Sequence, residues 1–172
     1  HPGNHYAVMN VTGNPVQVLA RAASGYFVPP FSAESSPDSF FRTYHGEAEY
    51  INIHIAATCL HYGQEAFEGM KAFRGKDGKI RIFRWQENAK RFRTSADGIM
   101  MAAVPDELFE KAIMTALKLN VKYVPPYGTG AALYFRPLLI GTGPQVGVKP
   151  ATEYMFMVFV GPVGPYFKEG FK

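Results

Sequence analysis

Residues 69–92 read GMKAFRGKDGKIRIFRWQENAKRF, and a change of period inside this stretch decides the fold. Met70 and Ala72 alternate with Lys71 and Phe73, the period of two that a half-buried strand requires. Gly75-Lys76-Asp77-Gly78 breaks the alternation, and Asp-Gly is a turn pair that favours a tight hairpin. Alternation resumes in KIRIFR (Lys79–Arg84). From Trp85 the apolar spacing becomes helical, with Ala89, Phe92 and Ala96 at i, i+3 and i+7, so a helix is expected to about Met101. A hairpin that runs straight into an amphipathic helix predicts antiparallel pairing with helices laid over the sheet.

The flanks extend this pattern. DELFEKAIMTALKLN (Asp106–Asn120) predicts a second helix, with Pro105 just before it and two acidic residues in its first turn. YVPPYGTG then makes a loop. AALYFRPLLI and EYMFMVFVGPVG read as strands, the second apolar enough to be buried on both faces. Upstream, EYINIHIAA (Glu49–Ala57) alternates Ile51, Ile53 and Ile55 with Tyr50, Asn52 and His54, and predicts another half-buried strand. The fold class is therefore α+β, an antiparallel sheet with two helices packed on one face. Residues 1–48 are poorly patterned: NVTGNPVQV suits a hairpin or coil, and FVPPFSAESSPDSFF reads as loop.

Composition narrows the function classes. The 172 residues suit one domain, and the net charge of +4 is scattered along the chain rather than gathered in a basic block, which argues against nucleic acid. A single cysteine, Cys59, excludes an internal disulfide and fits a reducing compartment, so a cytoplasmic location is expected. No apolar run is long enough to span a membrane. VQVLARAAS (Val16–Ser24) ends like a leader-cleavage site, but no basic residue precedes it and Gly13-Asn14-Pro15 interrupts the apolar region, so no secretory signal is expected. The chain opens on His1, which suits a piece of a longer protein.

Chemistry candidates are few. His45, Glu47, Glu49, His54, Cys59 and His61 lack any metal-ligand spacing, so no metal site is expected. GTGPQVG (Gly141–Gly147) misses the dinucleotide fingerprint by one residue and opens no helix. No nucleophile elbow is present, and Cys59 has no motif around it. Tyr134 and Arg136 stand two apart in LYFRP and share one strand face, which makes either a carboxylate site or an ordinary solvated face. Taken alone, Arg91 is a solvated helix charge, and Tyr62, Phe67 and Tyr166 are core aromatics. Lys71 has no neighbour in sequence that would make it a reactive amine.

Four motifs carry a resemblance. LHYGQEAFEGMKAFRG, IRIFRWQENAKRF, LYFRPLLIGTGPQVGVKP and VFVGPVGPYF occur in this order in branched-chain amino acid aminotransferases, pyridoxal 5'-phosphate (PLP) enzymes of fold type IV. GVKP and GPVGPYF resemble these enzymes more than the D-amino acid aminotransferases or aminodeoxychorismate lyases that share the fold. The resemblance implies that residues 49–161 form the small domain and 162–172 the start of an interdomain connection. It also implies that the lysine forming the Schiff base with PLP lies outside this chain, which then holds half a site and does not catalyse alone. It implies that Arg91 binds the PLP phosphate, and that Tyr62 and Phe67 line the substrate pocket. Tyr134 and Arg136 would stand on the pocket wall. Val148 would reach the pocket of the neighbouring subunit of a homodimer, and Tyr166 would close over the substrate. The implied reaction moves the amino group of leucine, isoleucine or valine through PLP to 2-oxoglutarate, in branched-chain amino acid metabolism. A transaminase or lyase of the same fold with other substrates, or a non-catalytic interaction domain, are the alternatives. The family's usual first strands are not legible in residues 1–48.

Overall fold

The computed structural model describes residues 5–9, 18–20, 43–45 and 51–165. Along the chain stand β1 (His5–Met9), β2 (Val18–Ala20), β3 (Thr43–His45), α1 (Thr58–Tyr62), β4 (Glu65–Phe67), β5 (Met70–Arg74) and β6 (Ile80–Ile82). They are followed by α2 (Trp85–Gly98), α3 (Asp106–Asn120), a 3-10 turn (Val121–Tyr123), β7 (Ala132–Gly141) and β8 (Tyr154–Val163). Six strands form one antiparallel sheet in the order β1-β8-β7-β5-β6, with β4 also paired to β7. β7 and β8 are its spine, paired from Ala132↔Val163 to Gly141↔Tyr154. β2 and β3 make a separate parallel pair.

The hairpin forms where the sequence places it. Gly78 takes φ +75°, a left-handed conformation that glycine adopts without a Cβ clash. Its N–H donates to Gly75 O at 2.9 Å, and Gly75 N–H donates to Lys79 O at 2.8 Å. Asp77 accepts both ends of the Arg81 guanidinium at 2.9 and 2.7 Å, and that pair holds its carboxyl down at about 2. Because the pair is solvent-exposed, it fixes turn geometry more than it stabilises the fold.

Strand alternation separates two environments. Ala66, Met70, Ala72, Leu133, Phe135, Leu139, Phe156, Val158 and Val160 face α2 and α3, where they meet Phe92, Phe109 and Ile113. Phe92, Phe109 and Phe156 form a three-ring cluster with centroids 5.6 to 6.1 Å apart, a spacing that favours aromatic pairs. This is the expected two-helix layer on one face. On the other face, Ile140, Met155 and Met157 pack with Ile53, Cys59 and Leu138. That second small cluster is why β8 is buried on both sides.

Three expectations need correction. The strand predicted over 49–57 does not form in its described part, residues 51–57. The backbone there is spent locally: Ala57 N–H donates to His54 O at 2.9 Å, and Ala56 N–H donates to His54 Nδ1 at 3.0 Å. Ile53 packs on the second cluster, while Ile55 is 81% exposed. Alternation without a neighbouring strand to complete a ladder does not make a strand. The second correction concerns α2, which ends at Gly98 rather than near Met101. Met100 adopts φ +56°, and Met101 N–H turns back to Ala96 O at 2.9 Å, closing the helix. Third, β1, β2 and β3 lie within the segment that shows no strand pattern. β1 completes an edge of the main sheet against β8, a long-range pairing that a local window cannot reveal.

Candidate functional site

The open end of the second sheet face carries the first group of candidate residues. β7 turns Leu133, Phe135 and Leu139 toward the helices, so Tyr134, Arg136 and Leu138 must face the other way. β4 brings Phe67 opposite Leu138, and β5 brings Lys71 opposite Tyr134. The Arg136 guanidinium lies 4.8 Å from the Phe67 ring centroid and 5.6 Å from that of Tyr134. Its Nε–H donates to the Tyr134 hydroxyl at 3.2 Å. Two aromatic rings therefore orient one cation, which can accept an anion while the rings offer an apolar wall. Phe67 is 58% exposed, so this wall faces outward. Gly69 permits the arrangement, since a Cβ there would lie 2.8 Å from the Tyr134 hydroxyl.

Arg91 stands on α2 and forms the second group. Its Nε and Nη2 donate to the two carboxylate oxygens of Glu68 at 2.6 and 2.7 Å, a side-on fork. The Arg91 side chain is 63% exposed and that of Glu68 only 6%. Asn88 Nδ2 donates to Glu68 at 2.8 Å and to Gly69 O at 3.2 Å. Burial pushes the Glu68 carboxyl up. The hydrogen bonds from Arg91 and Asn88, the Arg91 charge and the Gly69 N–H outweigh it, so the group sits below its ordinary value of 4.5. A folded-state value below the unfolded one adds stability that is complete above the ordinary value and is lost as pH falls through the folded one. We therefore expect Glu68→Gln to reduce the loss of stability between pH 7 and pH 3, measured by urea unfolding at each pH, with Asp77→Asn as the comparison. An unaltered pH slope removes the pair as a source of acid sensitivity.

Tyr62 and Val148 form the third group. Tyr62 ends α1, and its hydroxyl donates to Val146 O in the loop after β7. Tyr62 and Val148 both line a cavity of about 220 Å³ with Gln64, Met100 and Lys149 among its other walls. Val148 is 89% exposed. Gln64 anchors this corner, donating to Ile99 O at 3.1 Å and accepting from Ala151 N–H at 3.0 Å. Tyr166 lies outside the described residues. Lys71 is half-buried on the open face. Burial, followed by the Glu65 charge, pushes the Cys59 thiol up, away from the reactive thiolate form.

Glu68, Asn88 and Gln64 escaped the sequence reading. The Glu68–Arg91 contact spans 23 residues, and nothing local marks it. One signal was present: a carboxylate among apolar alternation, here Glu68 in AFEGM, is costly to bury unless a partner is supplied.

Among the described residues no group of three or more His, Cys, Asp or Glu could hold a metal ion, and no helix is long and apolar enough to cross a membrane. No protein-family model matches the chain. Named proteins do match. A branched-chain-amino-acid aminotransferase from Haemophilus influenzae is 52% identical over 120 residues, covering 70% of this chain and 35% of that protein. One from Helicobacter pylori is 53% identical over 120 residues, with the same coverage. The crystal structure of the T.th. branched-chain amino acid aminotransferase with pyridoxamine 5'-phosphate superposes with a TM-score of 0.57 at 30% identity, covering 70% of this chain and 38% of that one. The chain thus spans about one third of the length of these curated relatives. Over the part that matches, this chain belongs to the branched-chain-amino-acid aminotransferase family.

Proposed function

We propose that this chain is the small-domain portion of a PLP-dependent transaminase that exchanges amino groups between leucine, isoleucine or valine and 2-oxoglutarate. In this reading residues 49–161 are the small domain and 162–172 begin the connection to a second domain, which carries the lysine that holds PLP. These residues alone do not catalyse. The protein works as a cytoplasmic homodimer, with the Val148 loop offered to the neighbouring subunit.

The observation that carries the reading is the Phe67–Tyr134–Arg136 cluster, a cation seated between two rings on an outward-facing wall. A transaminase of this kind must accept an aliphatic side chain in one half-reaction and a carboxylate in the next. Phe67 and the Tyr134 ring provide apolar surface for the first. The Arg136 guanidinium provides a partner for the second, and the Tyr134 hydroxyl limits its swing. Tyr62 adds a further aromatic wall.

Arg91 suits a phosphate. Its fork is fixed on one edge by Glu68, while the opposite Nη1 edge belongs to an exposed side chain. When bound, PLP supplies the electron sink that lets an amino acid lose its Cα proton. This chain's residues anchor the phosphate and orient the substrate beside it. The structural relative solved with pyridoxamine 5'-phosphate supports that cofactor class.

The test is transamination of leucine with 2-oxoglutarate by the full-length protein, together with the Arg136→Ala variant. We expect the variant to lose about tenfold or more in kcat/KM for 2-oxoglutarate and far less for leucine, since only the former needs the cation for its side chain. Equal losses for both remove Arg136 from side-chain selection. Turnover of D-alanine or aminodeoxychorismate in place of leucine would move the protein to another branch of the fold.

A further inference from the structure

We infer that Glu68 is a positioning residue for the cofactor phosphate, acting through Arg91. The inference rests on the reading of Arg91 as the phosphate anchor. An arginine on an exposed helix face samples many rotamers, and a ligand that recruits it must first order it. Here the ordering is already done. Glu68 is buried and cannot follow a mobile partner. It is clamped in turn by Asn88 Nδ2 at 2.8 Å and by Gly69 N–H at 3.3 Å. From that fixed seat it takes the Nε and Nη2 protons of Arg91 at 2.6 and 2.7 Å. A planar guanidinium held along one edge has its orientation set. Nη1 and the second Nη2 proton then point away from Glu68, where they can meet phosphate oxygens.

Two effects of Glu68 oppose each other. Its negative charge lowers the field that Arg91 presents to an anion, whereas its fork fixes direction. A phosphate bound here would be met by directed N–H donors of a side chain anchored at one edge, so we assign the larger effect to direction. Loss of Glu68 weakens the site even though it removes a negative charge.

Glu68→Gln is the informative variant. It keeps the side chain's shape and one acceptor oxygen, which the three donors at Oε2 retain, and so sets its amide NH2 against Arg91 Nε, donor against donor. Binding of PLP and of pyridoxal, which lacks the phosphate, is measured in the full-length wild-type protein, Glu68→Gln, Arg91→Lys and the double variant. Thermal unfolding and the Arg91 Nε–H NMR signal are recorded without cofactor. We expect Glu68→Gln to weaken PLP about tenfold while pyridoxal changes less than about twofold, and to add little in the Arg91→Lys background. The Nε–H signal should broaden or move in the cofactor-free variant.

Several results overturn the inference. If Arg91→Lys weakens PLP while Glu68→Gln leaves it unchanged or tightens it, the phosphate reading of Arg91 stands and the positioning role falls. If Glu68→Gln weakens PLP and pyridoxal alike and lowers the melting temperature, its role is structural only. If Arg91→Lys binds PLP as the wild type does, a point charge suffices at this position, the directed fork has no role, and the inference falls, whereas the anchor reading itself is tested by Arg91→Ala. Should Glu68→Gln fail to fold, Asn88→Ala, which unclamps the same carboxylate, replaces it with the same expected split and the same overturning results.

Discussion

Replacing Phe156 with alanine should destabilise the fold by about 3–5 kcal/mol, the range for a large aromatic removed from a packed core. Phe156 is fully buried near the start of β8 and faces the helix layer. Its ring lies 5.6 Å from Phe92 on α2 and 6.1 Å from Phe109 on α3. Those two rings lie 5.7 Å from each other, so one side chain joins the sheet to both helices. The cavity left by alanine cannot close by moving one neighbour, because each ring is held by the other and by its own helix. Burial of apolar area, cavity formation and lost ring pairing therefore all act in one direction. The check is the urea midpoint at constant slope, with Phe156→Leu as a milder comparison. A loss under about 1 kcal/mol would mean that the three rings do not form the centre of the core.

Arg91→Ala should weaken PLP binding by about 100-fold, near 3 kcal/mol, with pyridoxal affected far less. Alanine removes both the directed donors and the cation that pairs with Glu68. Two consequences add. On the proposed reading a bound phosphate would lose a charge-assisted partner, and Glu68, 6% exposed, would keep Asn88 and the Gly69 N–H as partners. An unpaired buried carboxylate takes up a proton or admits water, and either disturbs the start of α2. The variant should therefore also lose some thermal stability without cofactor. Equal weakening of PLP and pyridoxal would assign the whole effect to that disturbance. Unchanged PLP affinity would withdraw Arg91 from the phosphate site.

The layered α+β arrangement was legible in the sequence because its signals are local. The hairpin at Asp77-Gly78, the start of α2 at Trp85 and the full span of α3 follow from turn chemistry and spacing within a dozen residues. So does the opposition of Tyr134 and Arg136 to Phe135. The Ile51–Ile55 alternation shows the limit of that logic, for a strand needs a neighbour and the sequence does not name one. β1 errs in the other sense, a strand made by the β8 edge it joins rather than by its own pattern.

The layers, the face on which each β7 side chain stands, and the motifs that align the chain with the transaminases are all present in the amino-acid order. These depend on local backbone period and on residue identity. It takes the folded chain to seat Arg136 against Phe67 and Tyr134, to tie Tyr62 to the Val148 loop, and to lean Arg91 on a buried Glu68. Each of these joins elements separated along the chain. Their partners are chosen by sheet register and by the cost of burying an unpaired charge, and neither quantity is written in any single segment.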